Sequence, residues 1–106
     1  MSKIFEDLFS VIESRKGKDP CESYVASLMN KGTSKINEKI LEEARETCEA
    51  SIENDKAHLV HEICDLIFHT FVLAEHRGIS LADIETELNR RFGTSGHAEK
   101  ESRSRK

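Results

Sequence analysis

The stretch from Leu59 to Ala74 constrains this chain more than any other part of it. At about 100° per helical residue, Leu59, Ile63, Leu66, Ile67, Thr70, Leu73 and Ala74 form one broad apolar arc. Phe68, Phe71 and Val72 extend the apolar surface almost all round. A helix of that kind needs several neighbours to cover it, so the sequence predicts an all-α bundle built around this segment. Only a narrow strip stays polar, containing Glu62, Asp65, His69 and His76. Such a strip is either a leftover line of solvent contact or the lining of a site.

Four other helices are predicted to surround it. Ile4, Phe5, Leu8, Val11 and Ile12 recur at helical spacing and predict a first helix ending near Gly17. Asp19-Pro20 reads as an N-cap followed by proline at the first helical position. The helix it opens carries Tyr24, Val25, Leu28 and Met29 and stops at Gly32. Thr33 or Ser34 can cap a third helix running to about Ile52. Asn54-Asp55 breaks that helix and caps the central one, which reaches Arg77 with Gly78 at the C′ position. Ser80-Leu81-Ala82-Asp83 resembles a capping box and starts a last helix through about Phe92. Residues 1–93 are expected to form one domain, and 94–106, polar and without an apolar stripe, a disordered C-terminal tail.

With 106 residues, 37% of them hydrophobic and no Trp, a lone chain has material for only a modest core, and oligomerisation would supplement it. The formal charge of −4 argues against a general nucleic-acid binder. The N-terminus has no apolar signal core, and no uninterrupted apolar run approaches the roughly 20 residues that span a bilayer. Cys21, Cys48 and Cys64 contain no CxxC pair and are odd in number. Cys48 and Cys64 read as small buried thiols, and the expectation is a cytoplasmic protein with no membrane partner.

Two carboxylate pairs carry the chemistry. Glu43/Glu46 and Glu62/Asp65 both have the i, i+3 spacing that brings side chains together on one helix face. In the third helix Ile36, Ile40, Ala44, Thr47, Ala50 and Ser51 share one mostly apolar side. Glu43 falls inside that sector, Glu46 at its edge and Glu42 away from it, whereas an ordinary amphipathic helix keeps its acids outside. Carboxylates beside a buried face are costly unless something positive neutralises them. A hard divalent cation with oxygen ligands does so, and a polyphosphate substrate arrives with the same cation. There is no Glu-x-x-His motif of the di-iron bundles. His58 and His61 lack a third partner for zinc and read as surface or packing residues. Four acids with no required nitrogen or sulfur suit Mg²⁺, or Mn²⁺ as its substitute. The residues therefore point to a small helical Mg²⁺-dependent phosphoanhydride hydrolase.

Lys39-Ile40-Leu41-Glu42-Glu43-Ala44-Arg45-Glu46, followed by Glu62-Ile63-Cys64-Asp65, resembles the E-E-x-x-E and E-x-x-D motifs of the all-α MazG-like nucleotide pyrophosphohydrolases. Three further segments resemble the phosphoribosyl-ATP pyrophosphohydrolase family in particular: Ser23 to Leu28, Asp65 to His69, and Arg77 to Ile84. The match in order and spacing runs from about Leu8 to Arg91. Val25 stands where that family usually has Thr, and Cys64 where Ala is usual; neither is one of the acids. The resemblance implies hydrolysis of phosphoribosyl-ATP to phosphoribosyl-AMP and pyrophosphate with Mg²⁺, a step of histidine biosynthesis. It also implies a homodimer in which helices of both subunits pack together.

On this reading Glu43, Glu46, Glu62 and Asp65 are both the metal ligands and the catalytic acids. The substrate phosphates also need cations. Lys31, Lys35 and Lys39 form a ladder of the kind that usually faces solvent. Lys39, one turn before Glu43, is the first candidate for a phosphate contact and Lys35 the second. Ser23 and Tyr24 are candidates to shape the substrate pocket, with core packing the plainer role for Tyr24. His69 either orients a neighbouring acid or takes part directly. Two rival readings remain open: a house-cleaning MazG-like nucleoside triphosphate pyrophosphatase, and a non-catalytic helical dimerisation module whose acids merely keep it soluble.

Overall fold

The computed structural model describes residues 3–92; the segment 94–106, expected to be a disordered tail, lies outside the described residues. Among the described residues the chain forms five helices and no strand: α1 (Lys3–Arg15), α2 (Tyr24–Lys31), α3 (Thr33–Ser51), α4 (Lys56–His76) and α5 (Leu81–Phe92). α3 and α4 pack side by side as the longest hairpin, α2 lies against both, α1 covers α4, and α5 rests on α1.

Local chemistry explains most of the boundaries. Asp55 caps α4, its carboxylate accepting from the His58 N–H at 3.1 Å. The far end of α4 closes with two bonds past Gly78: Gly78 N–H donates to Glu75 O, and Ile79 N–H to Ala74 O at 2.8 Å. That turn needs the positive φ of 76° that Gly78 adopts. Ser80 and Asp83 make the reciprocal bonds of a capping box, Ser80 N–H to Asp83 Oδ2 at 2.9 Å and Asp83 N–H to Ser80 Oγ at 3.1 Å.

Two expected caps are corrected. Asp19 does not start α2: its carboxylate accepts from Cys21 N–H and its carbonyl from Glu22 and Ser23, building a turn. Ser23 is the cap instead, its Oγ accepting from Ala26 N–H at 3.1 Å. Nor does a hydroxyl cap α3. Gly32, at φ 97°, joins α2 directly to α3 and leaves Thr33 inside the helix.

The core is Ile12, Val25, Leu28, Ile36 and Val72, with Leu8, Met29, Ile40, Phe68, Phe71 and Leu73 packed against it. α1 turns Phe9 and Ile12 inward and leaves Ile4, Phe5 and Val11 exposed, so its buried face is narrower than its apolar pattern. α4 departs further from expectation. Within one chain it is not covered all round: Val60, Ile63, Cys64 and Thr70 are exposed, while its most buried residues are Glu62, His69, Val72 and Ala74. By length and mean hydropathy α4 could even cross a membrane. Its inward-turned polar residues are instead what a bundle helix carrying a site requires. The three cysteines are also exposed rather than buried. The radius of gyration, 15.9 Å, exceeds the roughly 13 Å of a closed domain of this size. A single copy leaves much of α4's apolar surface uncovered.

Candidate metal and nucleotide site

The acids meet where α3 and α4 lie side by side. One carboxylate oxygen from each of Glu43, Glu46 and Glu62 lies within 4.8 Å of the other two. Glu62 belongs also to a second group with Asp65 and His61, again within 4.8 Å. The four expected acids therefore form a compact trio with Asp65 on its flank, joined through Glu62. Glu43 and Glu62 are both only 6% exposed.

Three features hold this arrangement. Thr47 Oγ1 lies 2.7 Å from the Glu43 carbonyl oxygen and 3.2 Å from that of Glu62, so its single hydrogen spans α3 and α4 at the cluster. His61 Nε2 lies 3.2 Å from Asp65 Oδ2. His58 sits 2.8 Å from Glu53 and 4.0 Å from Glu62. Both histidines are exposed, as the sequence suggested, yet they border the cluster.

The electrostatics mark the trio as short of positive charge. Burial raises the Glu43 carboxyl above the ordinary carboxylate range, and Glu46, Asp65 and Glu62 add repulsion in the same direction. Burial raises Glu62 likewise, reinforced by contact with Glu46. Glu43 Oε2 is fully buried and has no hydrogen-bond partner. A buried carboxylate oxygen without a partner is costly. A divalent cation among three hard oxygen donors satisfies that atom and offsets the repulsion together. The donor set therefore fits a hard divalent cation, with Glu43, Glu46 and Glu62 able to hold it and Asp65 beside them.

The other expected residues divide. Lys39 is largely covered (side chain 21% exposed) and lies 3.3 Å from Glu42. Burial lowers its pKa, but the bond to Glu42 and the nearby Tyr24 and Glu43 outweigh this and hold the ammonium charged. Lys35 pairs instead with Glu38 at 3.3 Å. Ser23 is buried with its oxygen engaged as the α2 cap. Tyr24, a candidate to shape the pocket, is 50% exposed and so not packed into the core, and its hydroxyl lies 2.7 Å from His69 Nε2. Two roles escaped the sequence: the Thr47 bridge and the Tyr24–His69 bond. A threonine on an apolar helix face reads as a small filler, and no local spacing relates residues 24 and 69.

Comparison with known proteins bears on this geometry. The family described as phosphoribosyl-ATP pyrophosphohydrolase matches residues 5–92. A Geobacter sulfurreducens protein named phosphoribosyl-ATP pyrophosphatase is 50% identical over 101 residues, covering 95% of this chain and 94% of the relative. A Neisseria gonorrhoeae protein of the same name is 50% identical over 93 residues, covering 88% and 87%. A third, from Hydrogenovibrio crunogenus, is 45% identical over 106 residues, covering 96% and 94%.

Proposed function

The chain belongs to the phosphoribosyl-ATP pyrophosphohydrolase family, and from that membership we propose that it hydrolyses phosphoribosyl-ATP to phosphoribosyl-AMP and pyrophosphate in histidine biosynthesis. Residues 1–93 are the pyrophosphohydrolase domain on this reading. The observation that carries it beyond the likeness is the trio Glu43, Glu46 and Glu62, together with the unpartnered buried Oε2 of Glu43.

In the reaction the anhydride between the α- and β-phosphates breaks, a water oxygen joins one phosphorus, and pyrophosphate leaves. Glu43, Glu46 and Glu62, with Asp65, are the residues that would hold Mg²⁺. The cation, when bound, supplies charge neutralisation for the phosphates and polarises the phosphoryl group. The chain's own contribution is positional. Thr47 keeps the two helices in register, and α3 and α4 shield the inner oxygens from bulk water. A carboxylate of the cluster that the cation leaves free would receive the water's proton. Lys39, beside Glu43 and Tyr24, would contact the phosphates first, with Lys35 farther along the helix. Ser23 would contribute by capping the helix that carries Tyr24.

A homodimer completes the reading. Val60 (49% exposed) and Ile63 (41%) on α4 are the kind of apolar surface that a second copy buries. Three free thiols support the reducing cytoplasm as the setting. Pyrophosphate release from phosphoribosyl-ATP, with and without Mg²⁺ and in parallel with the common dNTPs, tests the proposal. Mg²⁺-dependent turnover confined to phosphoribosyl-ATP is expected. Turnover of dNTPs alone would make it a general nucleotide pyrophosphatase, and none at all would leave a structural module.

A further inference from the structure

The acidic trio accounts for the phosphates of a nucleotide but not for its base, and one aromatic surface stands beside it. Tyr24 is half exposed, yet its ring is held at two points. Its hydroxyl lies 2.7 Å from Nε2 of His69, which is only 5% exposed. The other ring nitrogen, Nδ1, lies 2.7 Å from the Asp65 carbonyl oxygen. A carbonyl can only accept, so Nδ1 carries a hydrogen; in the Nδ1–H tautomer Nε2 is the acceptor and the Tyr24 hydroxyl donates. Phe68 stacks nearly parallel to Tyr24, centroids 6.2 Å apart at 17°, and His69 stands edge-on to both rings. Half of the Tyr24 surface remains exposed.

This tyrosine borders the acids: the charges of Lys39, Glu43 and Asp65 all act on its hydroxyl. An aromatic ring fixed before the ligand arrives loses little freedom on binding. Because its hydrogen is committed to His69, the phenol is no phosphate donor; what it offers is a flat apolar face. We propose that Tyr24 positions the purine of the substrate, which stacks on its ring while the phosphates reach the cation that Glu43, Glu46 and Glu62 would hold. His69 is a positioning residue that fixes the phenol through the Asp65 carbonyl. The inference rests on the nucleotide reading above and names the part of the site that takes the base.

Calorimetric titration of Mg²⁺-ATP and of Mg²⁺ with inorganic triphosphate separates the base from the phosphates. The wild-type protein, Tyr24→Phe, Tyr24→Leu, His69→Gln and His69→Ala are compared, with helicity checked for each. Wild type is expected to prefer ATP. Tyr24→Leu should weaken ATP by about tenfold and leave inorganic triphosphate within about twofold, since one stacked base contributes on that scale. In turnover of phosphoribosyl-ATP the same variant should raise KM more than it lowers kcat. Tyr24→Phe keeps the ring and most of the ATP affinity, and His69→Gln, able to accept the phenol hydrogen, keeps more of it than His69→Ala. Nitrogen NMR should find His69 protonated at Nδ1 and bare at Nε2. Equal binding of both ligands to wild type, equal losses of both in Tyr24→Leu, or the opposite tautomer would each overturn the inference. A wild type that does not turn over phosphoribosyl-ATP but binds ATP through Tyr24 would instead defeat the functional reading alone.

Discussion

Thr47 on α3 shares its hydroxyl hydrogen between the carbonyl of Glu43, one turn back at 2.7 Å, and that of Glu62 on α4 at 3.2 Å. The bridge ties together the two helices that supply the acidic trio, at the level where the trio sits. Thr47→Val keeps the shape and removes the bond. It should cost about 1 kcal/mol of stability and weaken Mg²⁺ binding, while Thr47→Ser restores both. Denaturant unfolding with metal titration measures the pair of effects. A valine variant with wild-type metal affinity would reduce Thr47 to a packing residue.

Glu43 sits where its charge works against the fold. Its carboxyl is raised by burial and then by Glu46, Asp65 and Glu62, so in metal-free protein the folded state retains a proton that the unfolded chain has already released. The associated stability is fully present below the unfolded carboxylate pKa and is lost as pH rises through the raised folded value. Glu43→Gln removes the buried charge and lets an amide hydrogen meet Glu46. It should stabilise the metal-free protein by about 1 kcal/mol, flatten this pH dependence and abolish turnover. Thermal melts from pH 4 to 8 without metal would show it. A glutamine variant less stable than wild type at neutral pH would mean that Glu43 has a partner even when metal-free.

The opposite pH trend is expected once metal is present. Ligand carboxylates must be deprotonated to bind, so Mg²⁺ or Mn²⁺ competes with the protons on Glu43 and Glu62. The melting-temperature gain from metal should grow with pH. At a hundred times Kd it corresponds to about 2.7 kcal/mol, and Glu62→Ala should erase it. Equal gains at low and neutral pH would indicate a site elsewhere on the chain.

What the sequence disclosed was whatever local chemistry decides. Asp55, the Ser80/Asp83 pair and Gly78 each act within a turn of their own position, and their roles were legible. So was Glu43, because helical projection alone put it on the apolar side of α3. The Asp19-Pro20 start failed because an aspartate closes a turn with the same bonds it uses to cap a helix, and Ser23 lay close enough to take the cap. Tyr24–His69 and Thr47–Glu62 depend on which helices meet, which no single helical pattern states. The apolar surface of α4 was legible as a demand for cover, but periodicity does not say whether the cover is the same chain or another.

That demand leads to a prediction about assembly. Ile63 projects from the apolar arc of α4 and is 41% exposed, next in sequence to the buried Glu62. Ile63→Asp puts a charge where a second copy would pack, at a cost of several-fold or more in dimer affinity. Sedimentation should show wild type as a dimer and the variant shifted toward monomer with its helicity retained. A wild type that sediments as a monomer at tens of micromolar would remove the need for a partner subunit.

Lys39 and Lys35, one turn apart on α3, allow a paired comparison. Lys39 is largely covered and lies beside Glu42, Tyr24 and Glu43, so its ammonium borders the acids and the phosphates they would gather. Lys35 pairs with Glu38 and is more exposed. A lost charged contact to phosphate is worth about 1.5–3 kcal/mol, so Lys39→Ala should raise KM by roughly ten- to a hundredfold. Lys35→Ala should change it by less than about threefold, the scale of an exposed ion pair. Both variants should keep the wild-type melting temperature without substrate, because neither amine bridges two helices. Equal effects from the two lysines would point to a diffuse field attracting the nucleotide, with no specific contact at Lys39.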